Sequence, residues 1–70
     1  MCAQLRAVVI GAGLAGEGHA VALQYAGVRV QAICSRTPEV VSELVARLGV
    51  EQASTDWRRT LETERPDIVA

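Results

Sequence analysis

Near its start the chain reads Val8-Val9-Ile10-Gly11-Ala12-Gly13-Leu14-Ala15-Gly16, an apolar β-branched run that ends in three glycines spaced G-x-G-x-x-G. A buried strand followed at once by glycines and then by an apolar-periodic helix admits few architectures. In a strand-turn-helix unit, Gly11 lets the chain turn tightly, Gly13 lets the backbone approach an anion, and Gly16 lets the helix lie close to the strand. The first helical N–H groups, at Leu14 and Ala15, then point at that anion with the positive end of the helix dipole behind them. The ligand this arrangement fits is the pyrophosphate of a dinucleotide.

The expected fold class is therefore α/β, a Rossmann-type doubly wound parallel sheet of which these residues supply the N-terminal half. Seventy residues bury only about 60% of their extended surface, and a complete dinucleotide-binding domain needs two such halves. The chain is accordingly expected to be the front part of a longer protein. Half of its residues are hydrophobic, yet Tyr25 and Trp57 are the only aromatics. An aliphatic, Ala-rich core of this kind suits a parallel sheet packed by helices.

Seven basic and eight acidic residues give a net charge of −1, which argues against a nucleic-acid partner. Cys2 and Cys34 are too few and too far apart for a disulfide framework or a metal site, and two free thiols fit a reducing cytoplasm. With neither a cationic-then-apolar leader nor a run of about twenty apolar residues, no membrane association is expected.

Strands are expected over residues 5–10 and 28–34, joined by a helix over residues 14–26 with Gly27 at its C-terminal end. Ala15, Val21, Ala22 and Leu23 are its candidate packing residues. The right-handed crossover makes the two strands parallel neighbours. Thr37 as a cap, Pro38 at N1 and Glu39 in the first turn open a second helix. Val40, Val41, Leu44, Val45 and Leu48 form its apolar face before Gly49. Residues 50–54 are too polar for a central strand and are placed at a sheet edge. Thr55-Asp56 caps a short helix over residues 57–64 with Trp57 and Leu61 inward; Pro66 stops it, and residues 67–70 begin another strand.

The second informative position follows the second strand. There a dinucleotide fold that takes NAD places an Asp or Glu, about twenty residues beyond the glycines, to bind the ribose 2′-hydroxyl. This chain has Cys34-Ser35-Arg36 instead. A hydroxyl followed by a guanidinium suits a 2′-phosphate, through charge-assisted hydrogen bonds and a planar fork. NADP is therefore favoured, and NAD is the second option. His19, the only histidine, has no carboxylate or thiol partner nearby in sequence and is read as a packing or capping residue. Nothing in the chain forms a catalytic pair.

The run Gly11-Ala12-Gly13-Leu14-Ala15-Gly16-Glu17-Gly18-His19-Ala20 resembles the opening of the Gfo/Idh/MocA oxidoreductases. The likeness continues in Ile33-Cys34-Ser35-Arg36-Thr37-Pro38-Glu39, in Ser54-Thr55-Asp56-Trp57 and in Pro66-Asp67-Ile68-Val69-Ala70. The resemblance implies NAD(P)-dependent oxidation or reduction at a hydroxyl or carbonyl of a sugar, cyclitol or related small molecule. It also implies a further α/β domain that holds the substrate and mediates homo-oligomerisation. The family's Glu-Lys-Pro motif and its later His or Asp catalytic residues would lie beyond Ala70, so no catalytic residue is assigned within these seventy. Many members carry Asp where Ser35 stands. Two alternatives share the glycine pattern. FAD-dependent oxidoreductases also open with Gly-Ala-Gly-Leu-Ala-Gly, but they want Glu after the second strand. A non-enzymatic nucleotide-sensing module would lack the lysine motif.

Overall fold

The computed structural model describes residues 4–70; Cys2 lies outside the described residues. Four strands, β1 (Arg6–Ile10), β2 (Arg29–Cys34), β3 (Gln52–Ser54) and β4 (Ile68–Val69), alternate with three helices, α1 (Leu14–Tyr25), α2 (Pro38–Leu48) and α3 (Trp57–Glu64). The strands form one sheet in the order β3-β2-β1-β4, and every pairing is parallel. The expected edge position of the polar third strand is thus observed.

Consecutive residues of β1 point to opposite faces, and each face has its own core. Val9 packs with Ala20, Val30, Ile33, Val41, Leu44 and Val50 beneath α1 and α2, whereas Val8 packs with Ala32, Cys34 and the partly buried Leu61 of α3. Helices therefore cover both faces, as in a doubly wound sheet. The free thiol of Cys34 is buried.

The helices depart from expectation where small or hydroxyl-bearing residues do the packing. On α1, Ala15 and Ala22 are exposed, and the buried residues are Gly16 and Ala20, with Leu23 packed against the same core. This i, i+4, i+7 stripe is built mostly of residues without bulk, so α1 lies close to the sheet. His19 is exposed, not packed. On α2, Val41 and Leu44 are buried and Val45 and Leu48 pack against them, while Val40 is exposed. Thr37 precedes the helix without forming a side-chain cap; Gly49 closes it in the left-handed region at φ 71°. On α3, the buried residue is Thr60, not Trp57.

Side chains tie the layers together. The backbone N–H and the side chain of Arg6 hold the start of β4, the first donating to Asp67 Oδ2 at 2.9 Å and Nη2 donating to the Arg65 carbonyl at 2.9 Å. Arg47 of α2 donates twice to the Glu17 carboxylate of α1, at 2.8 and 3.3 Å, and the Glu17 contact raises the Arg47 pKa. Arg29 pairs with Glu51 across the β2 and β3 ends. The β1–β2 register slips by one residue between Ala7 and Val8, leaving Gln31 as the extra residue of β2. Its Oε1 is buried without a partner.

Candidate functional site

The site lies outside the carboxyl ends of β1, β2 and β3, where an open parallel sheet of this kind presents its ligand crevice. The loops that follow these strands are laced together. Gly11 N–H donates to the Cys34 carbonyl at 2.6 Å, and Ser35 N–H donates to the Ser54 carbonyl at 2.9 Å.

The three glycines of the turn are required for different reasons. Gly11 sits at φ 115°, a conformation that side-chain-bearing residues rarely adopt. Gly16 has an ordinary helical place, but a Cβ there would meet the Gly11 carbonyl oxygen at 2.0 Å and its carbon at 2.5 Å. Helix and turn touch backbone to backbone at that point. Gly13 differs from both: its φ of −76° suits any residue, and a Cβ there would meet nothing within 4 Å. The fold alone does not account for a glycine at position 13. Gly13 is also the N-cap of α1 and has no side chain with which to cap it. The N–H groups of Leu14 and Ala15 consequently have no partner among the described residues. Leu14 is 92% exposed and Ala15 is exposed, so the start of α1 is open on the side of the turn.

A cleft of about 360 Å³ adjoins this turn. Ile10 and Gly11 line it from β1 and its turn, Ser35, Arg36 and Thr37 from the loop after β2, and Thr55 and Trp57 from beyond β3. The structure thus brings Gly11 together with Ser35 and Arg36. Gly13, Leu14, Ala15 and Gly16 lie on the adjacent turn and first helical residues, outside the cleft lining. Ser35 Oγ accepts from the Thr37 N–H at 3.2 Å, which fixes the hydroxyl and leaves its proton free to be donated. Arg36 is exposed and makes no ion pair among the described residues. The lining contains one cation and no carboxylate.

Thr55 and Trp57 were not among the residues that sequence reasoning assigned to the site. Their signal was the edge placement of residues 50–54: in a sheet ordered β3-β2-β1, the segment after β3 opens onto the same rim as the glycine turn. Among the described residues no group of three or more His, Cys, Asp or Glu is placed to hold a metal ion, and no helix is long and apolar enough to cross a membrane.

Parallel strands in this order, helices on both faces, and a glycine turn opening α1 beside a rim cleft define the nucleotide-binding half of a Rossmann fold. Residues 5–70 match the model of the Gfo/Idh/MocA oxidoreductase family with its NAD-binding Rossmann fold, and the chain belongs to that family. Among solved structures it is similar to myo-inositol 2-dehydrogenase from Lactobacillus plantarum, with 33% identity, a TM-score of 0.85 and coverage of 96% of this chain and 20% of that one. It is also similar to GenD2 from gentamicin A biosynthesis, solved in complex with NAD, with 26% identity, a TM-score of 0.84 and coverage of 100% and 21%. A levoglucosan dehydrogenase solved with NADH and L-sorbose gives 25% identity, a TM-score of 0.79 and coverage of 94% and 20%. The chain spans about a fifth of the length of these structures. No curated protein matches it in sequence.

Proposed function

We propose that these residues form the cofactor-binding part of a nicotinamide-dependent oxidoreductase whose substrate is a sugar, a cyclitol or a related hydroxyl or carbonyl compound. The observation that carries the cofactor site is Gly13, a glycine that neither its φ nor its surroundings require. A residue kept free of a side chain at the open start of α1 leaves room for the pyrophosphate to reach the N–H groups of Leu14 and Ala15. Gly11 and Gly16 shape that turn. The nicotinamide ring, when bound, supplies or accepts the hydride; the chain's own residues bind and orient the cofactor.

At the ribose, Ser35 donates its free hydroxyl proton and Arg36 lays its guanidinium against a 2′-phosphate, so NADP is favoured over NAD. Lack of a carboxylate in the cleft lining supports this choice. Two of the solved neighbours hold NAD or NADH, and the preference therefore turns on residues 35 and 36, not on the family. The substrate class rests on the inositol and levoglucosan dehydrogenases among the neighbours. The acid-base residue, the substrate site and a homo-oligomer interface belong to a further domain on this reading, in a cytoplasmic enzyme.

Isothermal titration of NADP(H) and NAD(H) tests the cofactor reading. NADP(H) should bind more tightly, and equal or tighter binding of NAD(H) overturns the preference. Absence of binding by either overturns the cofactor site itself.

A further inference from the structure

Glu17 of α1 and Arg47 of α2 stand 30 residues apart in sequence and meet on one face of the sheet. Arg47 Nη2 donates to Glu17 Oε1 at 2.8 Å and Nη1 donates to Oε2 at 3.3 Å, so one guanidinium engages both carboxylate oxygens as a fork. Among the described residues the Glu17 side chain has no other hydrogen-bond partner. The two helices do not depend on this pair to stay together. Ala20, Val41 and Leu44 share a core beneath them, and Gln24 Nε2 donates to the Leu48 carbonyl at 3.0 Å. With side chains 54% and 36% exposed, the ion pair itself adds little to stability. Its place in the fold is more informative than its strength. Glu17 is the acidic residue of the first turn of α1, the same turn that opens with the unpartnered N–H groups of Leu14 and Ala15. A helical side chain leans toward the N-terminus of its own helix, which for Glu17 is the side of the glycine turn.

A free carboxylate in that turn acts against an anionic ligand in two ways. It repels the ligand's charge, and it satisfies the positive end of the helix dipole that the ligand would otherwise satisfy. We propose that Arg47 is a positioning residue for the cofactor, holding and neutralising the Glu17 carboxylate so that the start of α1 stays open to the pyrophosphate, an inference that rests on the cofactor reading above. Arg47 lies outside the cleft lining and acts through Glu17. The tightness of the pairing is visible in the guanidinium, whose pKa is raised chiefly by the bond to Glu17 and by its charge. Arg47 sits in the last turn of α2, where the negative end of that helix dipole also favours a cation. Glu17 in turn supports the first turn of α1 through the dipole while no ligand is bound. The pair thus lets one helix keep a stabilising carboxylate beside its anion-binding end without repelling the anion.

A double-mutant cycle tests this, read by calorimetric titration of the full chain with ADP-ribose, which carries the pyrophosphate but no 2′-phosphate and is therefore independent of the choice between NADP and NAD. Arg47→Gln should weaken ADP-ribose about fivefold, the order expected of one unit charge acting across a turn of helix near the surface, and the loss should shrink as salt is raised. Arg47→Lys, which keeps the charge without the fork, should recover most of it. Glu17→Gln should bind at least as tightly as the parent. Glu17→Gln in the Arg47→Gln background should restore the parent affinity, because no carboxylate is left to neutralise. A merely structural clasp gives another pattern, in which the double variant binds no better than Arg47→Gln, and that result overturns the proposal. So does a folded Arg47→Gln that binds ADP-ribose as tightly as the parent, or a folded Glu17→Gln that binds it more weakly; each leaves the glycine site standing. If the unmodified chain binds neither ADP-ribose nor NADP(H), the cofactor reading fails and takes this proposal with it.

Discussion

Replacing Gly13 by Asp should raise stability and lower cofactor affinity at once, a pair of opposite signs that a purely structural role for this glycine would not produce. In the folded chain the position tolerates a side chain, because its φ is −76° and a Cβ meets nothing within 4 Å. Three terms favour the variant's fold. An Asp N-cap exceeds Gly by a few tenths of a kcal/mol. A carboxylate at the helix N-terminus adds about 0.3–1 kcal/mol through the dipole. Loss of glycine's freedom in the unfolded chain adds about 0.4–1 kcal/mol. A net gain of about 1 kcal/mol raises the melting temperature by roughly 4–8 °C for a chain of this size. Against the cofactor the same carboxylate acts twice, by taking up the N–H groups that the phosphate needs and by repelling it. Two like charges about 4 Å apart cost about 4 kcal/mol at an effective dielectric of 20, and half of that weakens binding about thirtyfold. Differential scanning calorimetry and titration of NADP(H) on the same preparation read both signs. Undiminished affinity in a folded, stabilised variant would refute the assignment of the pyrophosphate to this turn.

Gly16→Ala should do the reverse of Gly13→Asp in stability. Its Cβ meets the Gly11 carbonyl at 2.0 Å, backbone that cannot swing aside, so the cost should reach about 3 kcal/mol, a large part of the stability of a chain this short; denaturant titration checks it. Ser35→Asp combined with Arg36→Ala should swing cofactor preference from NADP(H) towards NAD(H), read as the ratio of the two dissociation constants. Arg65 ends α3 in the left-handed region at φ 46°, and Arg65→Gly should therefore stabilise by up to about 1 kcal/mol, read as a higher melting temperature, while keeping the carbonyl that Arg6 binds. Glu17 raises the Arg47 pKa above an already high value, so the guanidinium's contribution is fully present below its ordinary pKa and fades as pH rises through the raised one. Melting temperature from about pH 6 to 9 should consequently have the same shape in Arg47→Gln as in the parent.

The pairing of β1 with β2, the edge position of β3 and the glycine turn were legible because each follows from patterns that survive in one dimension: β-branched runs, crossover handedness and glycine spacing; the place of β4 beside β1 was not. The helix faces were less so. On α1 most residues are small or aliphatic, so hydrophobicity does not distinguish the inward Gly16 and Ala20 from the outward Ala15 and Ala22. What selects the face is contact with the turn, and that contact exists only once Gly16 meets Gly11. On α3 the inward residue is Thr60, because Ser54 and Asp56 lie within hydrogen-bonding distance of its hydroxyl; a satisfied hydroxyl packs where an apolar count would put Trp57. At α2, Thr37 has the composition of a cap but its side chain forms no capping bond, and its N–H donates to the Ser35 hydroxyl.

These departures share a physical cause that bears on the site. In each case a short-range polar bond or a close backbone approach fixes a loop at the carboxyl rim, and on α3 the larger residue expected inside is released to the surface. Trp57 is displaced by the Thr60 network onto the cleft wall, and the Ser35 hydroxyl is held by Thr37 with no acceptor for its proton among the described residues. Of the cleft lining, Gly11, Ser35 and Arg36 were legible in the sequence, whereas Thr55 and Trp57, held by this network, were not. A rim whose polar groups are already paired with one another is preorganised, so little loop ordering has to accompany binding of a nucleotide. Thr60→Val, which keeps the shape and volume but removes the hydroxyl, should accordingly loosen the loop that carries Thr55 and Trp57. Amide exchange at residues 54–57 should quicken and affinity for ADP-ribose should fall, while the turn at Gly11 to Gly16 keeps its protection. Equal acceleration at both loops would mean that Thr60 stabilises the sheet as a whole and has no special hold on the cleft.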